Sequence, residues 1–303
     1  MLRVLLVLLV LGCLAVPAQA AAPRCLGAAS RDPAKRCVNA QLKTSVTPTP
    51  RRAPVIPGTP CTQEAAQGLA VPCAFGAPEG VARGRVALIG DSHAAHWRPA
   101  IDALTKTRKW WAVALTRSGC ALSAVPRTLP TPLDSQCETW KSDVLTYLTN
   151  HPEIDTVFLA QKVLDADDFA PKPLPLFGEL ATGFVNEWNQ LPASVRHVYV
   201  IRDNPSARVS TLGCVTRAIK RRQDAGRRCA VPRSFALPPD PAQSAAGQLP
   251  SSRFKLIDLT PFFCDTRSCY PVVGGVLVYR DVNHLTTLFA QTLAPYLARG
   301  LGT

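Results

Sequence analysis

The sequence predicts an α/β protein built around a mostly parallel, five-stranded sheet. Short apolar runs, with the length and branching of buried strands, alternate along the chain with longer segments of helical periodicity. This alternation is typical of a parallel sheet whose two faces are covered by helices. The chain has 303 residues, of which 47% are hydrophobic. It is therefore long enough for one large domain and an appendage.

The first 20 residues have the features of a secretory signal peptide. Arg3 supplies a positive charge, Leu5 to Val16 form a short apolar core, and Ala18-Gln19-Ala20 fits a cleavage site. The apolar run is short for a membrane span, and an uncleaved N-terminal membrane anchor is the alternative. We therefore expect a protein that is secreted or lies on the extracytoplasmic face of the cell envelope.

Residues 21–82 form a Cys- and Pro-rich extension with little periodicity. Prolines such as Pro48, Pro54 and Pro57 disfavour regular helices and central strands. The cysteines of this segment nevertheless argue against a free linker. We expect an irregular extension, held by disulfides and packed against the main domain, with no chemistry of its own.

Cysteine usage also indicates export. Of eleven cysteines, Cys13 lies in the predicted signal peptide, and no Cys-x-x-Cys pair occurs among the rest. The cysteines outside the signal peptide are even in number and lack the spacing of zinc ligands. They therefore predict disulfides formed in an oxidising compartment. Neighbouring cysteines suggest sequential pairs, most clearly Cys264 with Cys269, although sequence alone leaves the connectivity open. The candidates are Cys25, Cys37, Cys61, Cys73, Cys120, Cys137, Cys214, Cys229, Cys264 and Cys269.

The regular pattern occupies residues 83–303, which we assign to the main domain. The predicted strands are Val86–Ile89, Trp111–Leu115, Ile154–Ala160, Val195–Ile201 and Arg253–Leu259. The predicted helices are Ala94–Lys106, Glu138–Thr149, Leu176–Leu191 and Thr286–Ala298. Glycines between two β-branched pairs predict a tight hairpin over Val272–Tyr279.

The net charge of +13 indicates anionic surroundings, such as cell-wall polymers or acidic glycans. Nucleic acid is disfavoured, because the protein is predicted to be exported and aromatic residues are not interleaved with the basic ones. A basic run from Arg217 to Arg228 lies between Cys214 and Cys229. It is either a binding patch or a solvated helix face.

Two separated motifs carry the candidate chemistry. Ser92 follows the first predicted strand in Gly90-Asp91-Ser92-His93, and Asp281 and His284 precede the last helix. Taken singly, these residues fit helix caps or polar core groups. Together they supply a nucleophile, a base and a carboxylate that orients the base, with the acid and base spaced so that one helical turn places them on the same side. No glycine-rich nucleotide-binding motif follows any strand, so we expect no cofactor.

Two further histidines fall on the first predicted helix. His93 and His96 are one turn apart, but the sequence shows no third ligand to complete a metal site. We therefore predict no bound metal. Core or surface roles are expected for both histidines, although one of them could line the cleft.

The two motifs resemble those of the SGNH (GDSL-type) hydrolase superfamily. Gly90-Asp91-Ser92-His93 and Asp281-Val282-Asn283-His284-Leu285-Thr286 are closest to the soluble SGNH domains associated with bacterial acyltransferase-3 type membrane O-acyltransferases. The resemblance spans roughly residues 83–300. It implies a flavodoxin-like three-layer α/β/α sandwich and a catalytic triad of Ser92 as nucleophile, His284 as base and Asp281 as its orienting partner.

The resemblance also implies an oxyanion hole, for which Ser92, Gly119 and Gln161 are the candidates. The family places a glycine after the second strand, and Gly119 occupies this place. The family places an asparagine after the third strand, where this chain departs from the pattern and has Gln161.

The sequence thus predicts an exported serine esterase or O-acyltransferase acting on O-acyl esters, such as O-acetyl esters, of cell-envelope carbohydrate. The expected partners are an acylated glycan or other envelope polymer and, for a transferase, a separate membrane acyltransferase. A non-catalytic envelope module that binds acidic polymers through its basic surface is the alternative.

Overall fold

A computed structural model describes residues 23–35, 37–54 and 68–302. The predictions for residues 1–20 and for Cys13 and Cys61 lie outside these described residues. The strands are β1 (Cys73–Gly76), β2 (Gly84–Gly90), β3 (Trp110–Thr116), β4 (Thr156–Ala160), β5 (His197–Ile201), β6 (Val231–Pro232), β7 (Phe254–Ile257), β8 (Ser268–Cys269), β9 (Val272–Val273) and β10 (Val276–Leu277). The helices are α1 (Ser92–Arg108), α2 (Leu133–Asn150), α3 (Phe177–Trp188), α4 (Thr211–Lys220), α5 (Ala225–Arg228), α6 (Arg233–Ala236), α7 (Pro241–Gln248) and α8 (Thr287–Gly300).

The central sheet has six strands in the order β1-β3-β2-β4-β5-β7. All neighbours are parallel except β1, which pairs antiparallel with β3. The predicted fold class is confirmed, with one strand more than the five expected. The additional strand, β1, is a short edge strand inside the segment that the sequence analysis treats as irregular.

Helices cover both faces of the sheet, because alternate residues of each strand point to opposite sides. Val86 and Leu88 of β2 belong to the core that includes α1 and α8. Ala87 and Ile89 belong to the core that includes α2, α3 and α7. The four side chains are buried, as expected for a strand between two helical layers.

The N-terminal extension packs on the α8 side of the domain. Arg299 of α8 donates two hydrogen bonds, each of 2.8 Å, to the carboxylate of Asp32. The backbone N–H of Thr47 donates to the carbonyl of Gly275 in the β9–β10 turn at 2.9 Å. The packing expected for this segment is therefore present, whereas the domain boundary at residue 82 stays a prediction.

The described residues contain four complete disulfides, and each joins cysteines that are neighbours in the sequence. They are Cys25–Cys37, Cys120–Cys137, Cys214–Cys229 and Cys264–Cys269. Cys73 is also disulfide-bonded. The bond between Cys214 and Cys229 closes α4 and α5, which carry the basic run. These disulfides fit an extracytoplasmic location.

No helix within the described ranges is long and apolar enough to cross a membrane.

The end of β2 requires glycine. Gly90 has a φ of +145°, and a Cβ at this position would lie 1.8 Å from the carbonyl oxygen of Ala160 on the neighbouring strand β4. We expect Gly90→Ala to lower the free energy of unfolding by about 2–6 kcal/mol, through overpacking and backbone strain together. Denaturant unfolding followed by circular dichroism measures this loss.

Gly247→Ala is the matched control. Gly247 lies in α7, and a Cβ there would meet nothing within 4 Å. Alanine should therefore raise the free energy of unfolding by roughly 0.5–1 kcal/mol through helix propensity. A Gly90→Ala protein as stable as the parent would contradict the close approach of β2 and β4.

Candidate active site

Ser92 lies at the first turn of α1, directly after the carboxyl end of β2. Asp91 is the N-cap of this helix, and its carboxylate accepts a hydrogen bond of 2.8 Å from the backbone N–H of His93. The same carboxylate accepts from the backbone N–H of Lys162, beyond β4, at 3.0 Å. Asp91 is buried, and this burial raises its pKa. The cap thus fixes Ser92 at the edge of the sheet where β2 lies between β3 and β4, which is where open α/β sheets bind ligands.

Asp281 and His284 lie in the loop between β10 and α8. The backbone N–H of Arg280 closes this loop by donating to the carbonyl of His284 at 2.9 Å. Asp281 Oδ1 accepts from the backbone N–H groups of Asn283 at 3.0 Å and His284 at 2.8 Å. Asp281 and His284 therefore face each other across a tight turn. The helical turn suggested by the sequence is wrong, because α8 begins only after its N-cap, Thr286.

The three predicted residues are joined by hydrogen bonds. His284 Nδ1 lies 2.8 Å from Asp281 Oδ2, and His284 Nε2 lies 2.9 Å from Ser92 Oγ. Because Asp281 is ionised, Nδ1 carries the proton and Nε2 accepts the hydroxyl of Ser92. A serine hydroxyl in this position can be deprotonated by the imidazole as it attacks an electrophile.

The charge of Asp281 is secured by its surroundings. Burial alone would raise the pKa of this carboxyl group. The hydrogen bonds from the His284 ring and from two backbone N–H groups outweigh burial, and they hold the pKa of Asp281 well below its ordinary value. The carboxylate is therefore ionised throughout the neutral pH range.

The candidate oxyanion residues follow the strands on either side of β2. Gln161 comes directly after β4, and its buried side-chain amide has no hydrogen-bond partner at either atom. Gly119 lies in the turn after β3, with a φ of +71°, and its carbonyl accepts from the guanidinium of Arg127. Parallel strands end at a common edge, so both residues lie at the edge of the sheet that holds Ser92.

His93 and His96 are both buried, and both lie beside the triad. From the sequence, only one of them was expected to be able to line the cleft. The ring centroid of His284 lies 5.0 Å from that of His93 and 5.8 Å from that of His96. The sequence showed no third ligand beside His93 and His96, and the fold brings the imidazole of His284 next to both. Burial lowers the pKa of His96 well below its ordinary value.

His93 has a carboxylate partner that the sequence did not indicate. Its Nδ1 lies 2.6 Å from Oδ1 of Asp203, which follows β5. Burial would lower the pKa of His93, but the charge and hydrogen bond of Asp203 raise it. An acidic residue directly after a parallel strand was the available sequence signal. Its partner lies on α1, 110 residues earlier, so the pairing could not be read from spacing.

A groove of about 480 Å³ borders the triad loop through Val282 and Asn283. Its wall is largely apolar and includes Leu164, Phe177 and Leu237, with Lys162 and Arg202 at its edge. Phe177 is about half exposed although it is a large apolar residue. The groove therefore adjoins the loop that carries Asp281 and His284.

Comparison with known proteins gives one family and several structural neighbours, of which two are described here. The family described as "SGNH domain (fused to AT3 domains)" matches residues 60–299, a range that includes β1. The periplasmic domain of a lipopolysaccharide acetyltransferase from Salmonella ser. Paratyphi A has a TM-score of 0.57 and 12% identity, with 74% of this chain and 85% of that chain covered. An acetyl-xylooligosaccharide esterase from Geobacillus has a TM-score of 0.43 and 13% identity, with 73% and 95% covered.

A search of the curated proteins found no match. The family match covers most of the chain, and the fold agrees with it. The resemblance inferred from the sequence is confirmed, and with it an enzyme that acts on esters. The chain belongs to the family of SGNH domains that occur fused to AT3 domains.

Proposed function

We propose that this chain is an exported serine esterase or O-acyltransferase that acts on O-acyl esters of cell-envelope carbohydrate. The observation that carries the proposal is the continuous hydrogen-bonded path from Asp281 through His284 to Ser92 Oγ. A buried helix cap accounts for Asp91, but it gives no reason for an imidazole to be oriented onto a serine hydroxyl.

The reaction begins when Ser92 Oγ attacks the acyl carbon and His284 Nε2 takes the hydroxyl proton. Asp281 holds His284 in the required tautomer and stabilises the imidazolium. The tetrahedral intermediate collapses, the ester C–O bond breaks, and His284 returns the proton to the leaving alcohol. Water or a sugar hydroxyl then attacks the acyl-enzyme by the same steps, and the acceptor decides between hydrolysis and transfer.

Negative charge on the tetrahedral intermediate needs donors that are already in place. We assign this role to the backbone N–H groups of Ser92 and Gly119 and to the side-chain amide of Gln161. The N-terminus of α1 adds a favourable dipole at Ser92. The unpaired amide of Gln161 supports this assignment, since a buried amide without a partner is costly unless a bound group satisfies it.

The groove beside the triad supports a carbohydrate substrate. Its apolar wall can pack against the C–H faces of a sugar while it restricts the access of water to the acyl-enzyme. The family name joins such domains to AT3 domains. We infer that an acyl group reaches Ser92 from a separate membrane acyltransferase, and that the N-terminal signal peptide carries this chain to the same compartment.

The nucleophile is tested by Ser92→Ala. We expect this variant to lose labelling by a fluorophosphonate probe and to lose turnover of p-nitrophenyl acetate, because no other group supplies the attacking oxygen. Ser142→Ala is the matched control: Ser142 is exposed on α2, and its substitution should change neither readout. A wild-type protein that is neither labelled nor active would refute the enzymatic proposal.

The role of Asp281 is tested by Asp281→Asn. The amide would orient His284 in the wrong tautomer, and we expect kcat to fall by about 10⁴-fold while the fold is retained. The introduced side chain can still accept the two backbone N–H groups through its carbonyl oxygen. A loss of less than tenfold in kcat, measured with p-nitrophenyl acetate, would exclude the proposed orienting role.

The role of Gln161 is tested by Gln161→Leu. Removal of one oxyanion donor should lower kcat by roughly 10²–10³-fold. Thermal stability should not fall, because leucine replaces a buried amide that makes no hydrogen bond. Parallel losses of activity and melting temperature would instead assign Gln161 a structural role.

A further inference from the structure

Three imidazoles converge beside Ser92. His93 and His96 come from α1, and His284 comes from the loop before α8. One ring nitrogen of each residue lies within 4.8 Å of the corresponding nitrogens of the other two. The centroids of His93 and His96 are 4.7 Å apart. His284 is separated from the other two by almost the whole domain in the sequence, and the packing of α8 beside α1 brings it to them.

Several of these ring nitrogens have no hydrogen-bond partner. His93 Nε2 is buried and makes no hydrogen bond, and the same holds for both nitrogens of His96. The polar end of the Asn204 side chain interacts with His96 and acts to raise its pKa, but neither the His96 nitrogens nor the Asn204 carbonyl oxygen makes a well-formed hydrogen bond. Buried polar atoms without partners are rare in native proteins and require an explanation. A bound cation that accepts imidazole lone pairs would provide a partner for His93 Nε2 and for one nitrogen of His96.

Two of the three histidines contact a carboxylate through the ring nitrogen Nδ1, as many metal-binding histidines do. His93 and His284 each present Nδ1 to a carboxylate, of Asp203 at 2.6 Å and of Asp281 at 2.8 Å. In protein metal sites the ligating histidine usually donates its other ring N–H to such a group, which fixes the tautomer and makes the ring a better ligand. In both residues Nε2 is left for the metal.

We propose that His93, His96 and His284 form a Zn²⁺ site that switches off the triad. Neutral imidazoles suit zinc, and three of them with a water molecule complete a tetrahedral shell. With Zn–N distances of about 2.0–2.1 Å, the ligand nitrogens would lie about 3.3 Å apart. The rings must therefore move closer together than they are in this structure.

Bound zinc would remove the base from the reaction. The lone pair of His284 Nε2, which accepts the hydroxyl of Ser92, would be donated to the metal, and it could not take the serine proton. The His284 side chain is 21% exposed, so an ion can reach the site from solvent. The metal site itself is independent of the proposed function, whereas its inhibitory effect rests on that function.

Direct binding to the full-length, oxidised protein tests the site. We expect one equivalent of Co²⁺ to give the visible absorption of a tetrahedral nitrogen site, and Zn²⁺ to displace it. His96→Gln should weaken Zn²⁺ binding by at least about tenfold, in line with the sensitivity of metal sites to their ligand sphere. His197→Gln is the matched control, because His197 is exposed on β5, and it should bind as the wild type does.

A second measurement needs no variant and remains decisive if His96→Gln does not fold. Zn²⁺ should protect His284, whose side chain is 21% exposed, from diethyl pyrocarbonate, as mapped by mass spectrometry, and should leave His151 and His197 reactive. Absence of stoichiometric binding by the wild type, equal binding by a folded His96→Gln, or absence of this protection would overturn the site.

The inhibitory effect is measured on p-nitrophenyl acetate. One equivalent of Zn²⁺ should abolish turnover, EDTA should restore it, and His96→Gln should need at least about tenfold more Zn²⁺ for the same inhibition. Stoichiometric binding without inhibition would overturn the switch and leave the metal site standing. A protein that binds Zn²⁺ as described but turns over no ester would instead refute the proposed function.

Discussion

The close contact between β2 and β4 is the constraint on which the site depends. Gly90 ends β2 so near the carbonyl of Ala160 that no larger residue fits. The chain can therefore turn directly from a fully buried strand into α1, with Asp91 and Ser92 in the corner. Since β3 and β4 flank β2 with their carboxyl ends at the same edge, the turns that contain Gly119 and Gln161 begin at the edge of the sheet that holds Ser92.

A layer of buried carboxylates stabilises this edge. Asp91 binds the backbone of Lys162, and Asp203 Oδ2 binds the backbone of Val163 at 2.8 Å. Asp240 caps α7 and accepts from the backbone N–H of Asp203 at 3.2 Å. Burial, together with the charge of Asp203, raises the pKa of Asp240 to about 6. These side chains replace ladder hydrogen bonds where the strands end, so the loops around the triad are fixed by the domain itself.

The base and the nucleophile come from opposite ends of the domain, and packing of α8 against α1 unites them. Phe289 and Leu293 of α8 share a core with Trp97 and Ile101 of α1. The loop before α8 is held in addition by Asn204, whose amide donates to the carbonyl of Asn283 at 2.8 Å. The same packing places His284 against His93 and His96. One arrangement thus creates both the triad and the cluster of imidazoles.

The parallel strands and the four longest helices, α1, α2, α3 and α8, could be predicted from the sequence, as could the candidates Ser92, Asp281 and His284. These follow from local periodicity, from glycine chemistry and from motifs whose residues are close in the chain. The strand β1 was not predicted, since a short edge strand next to many prolines has no periodic pattern, and the shorter helices α4, α5, α6 and α7 had no predicted bounds. The pairing of His93 with Asp203 and the approach of His284 to His93 and His96 could be seen only in the folded domain, because contacts between distant residues depend on strand order and helix packing rather than on spacing.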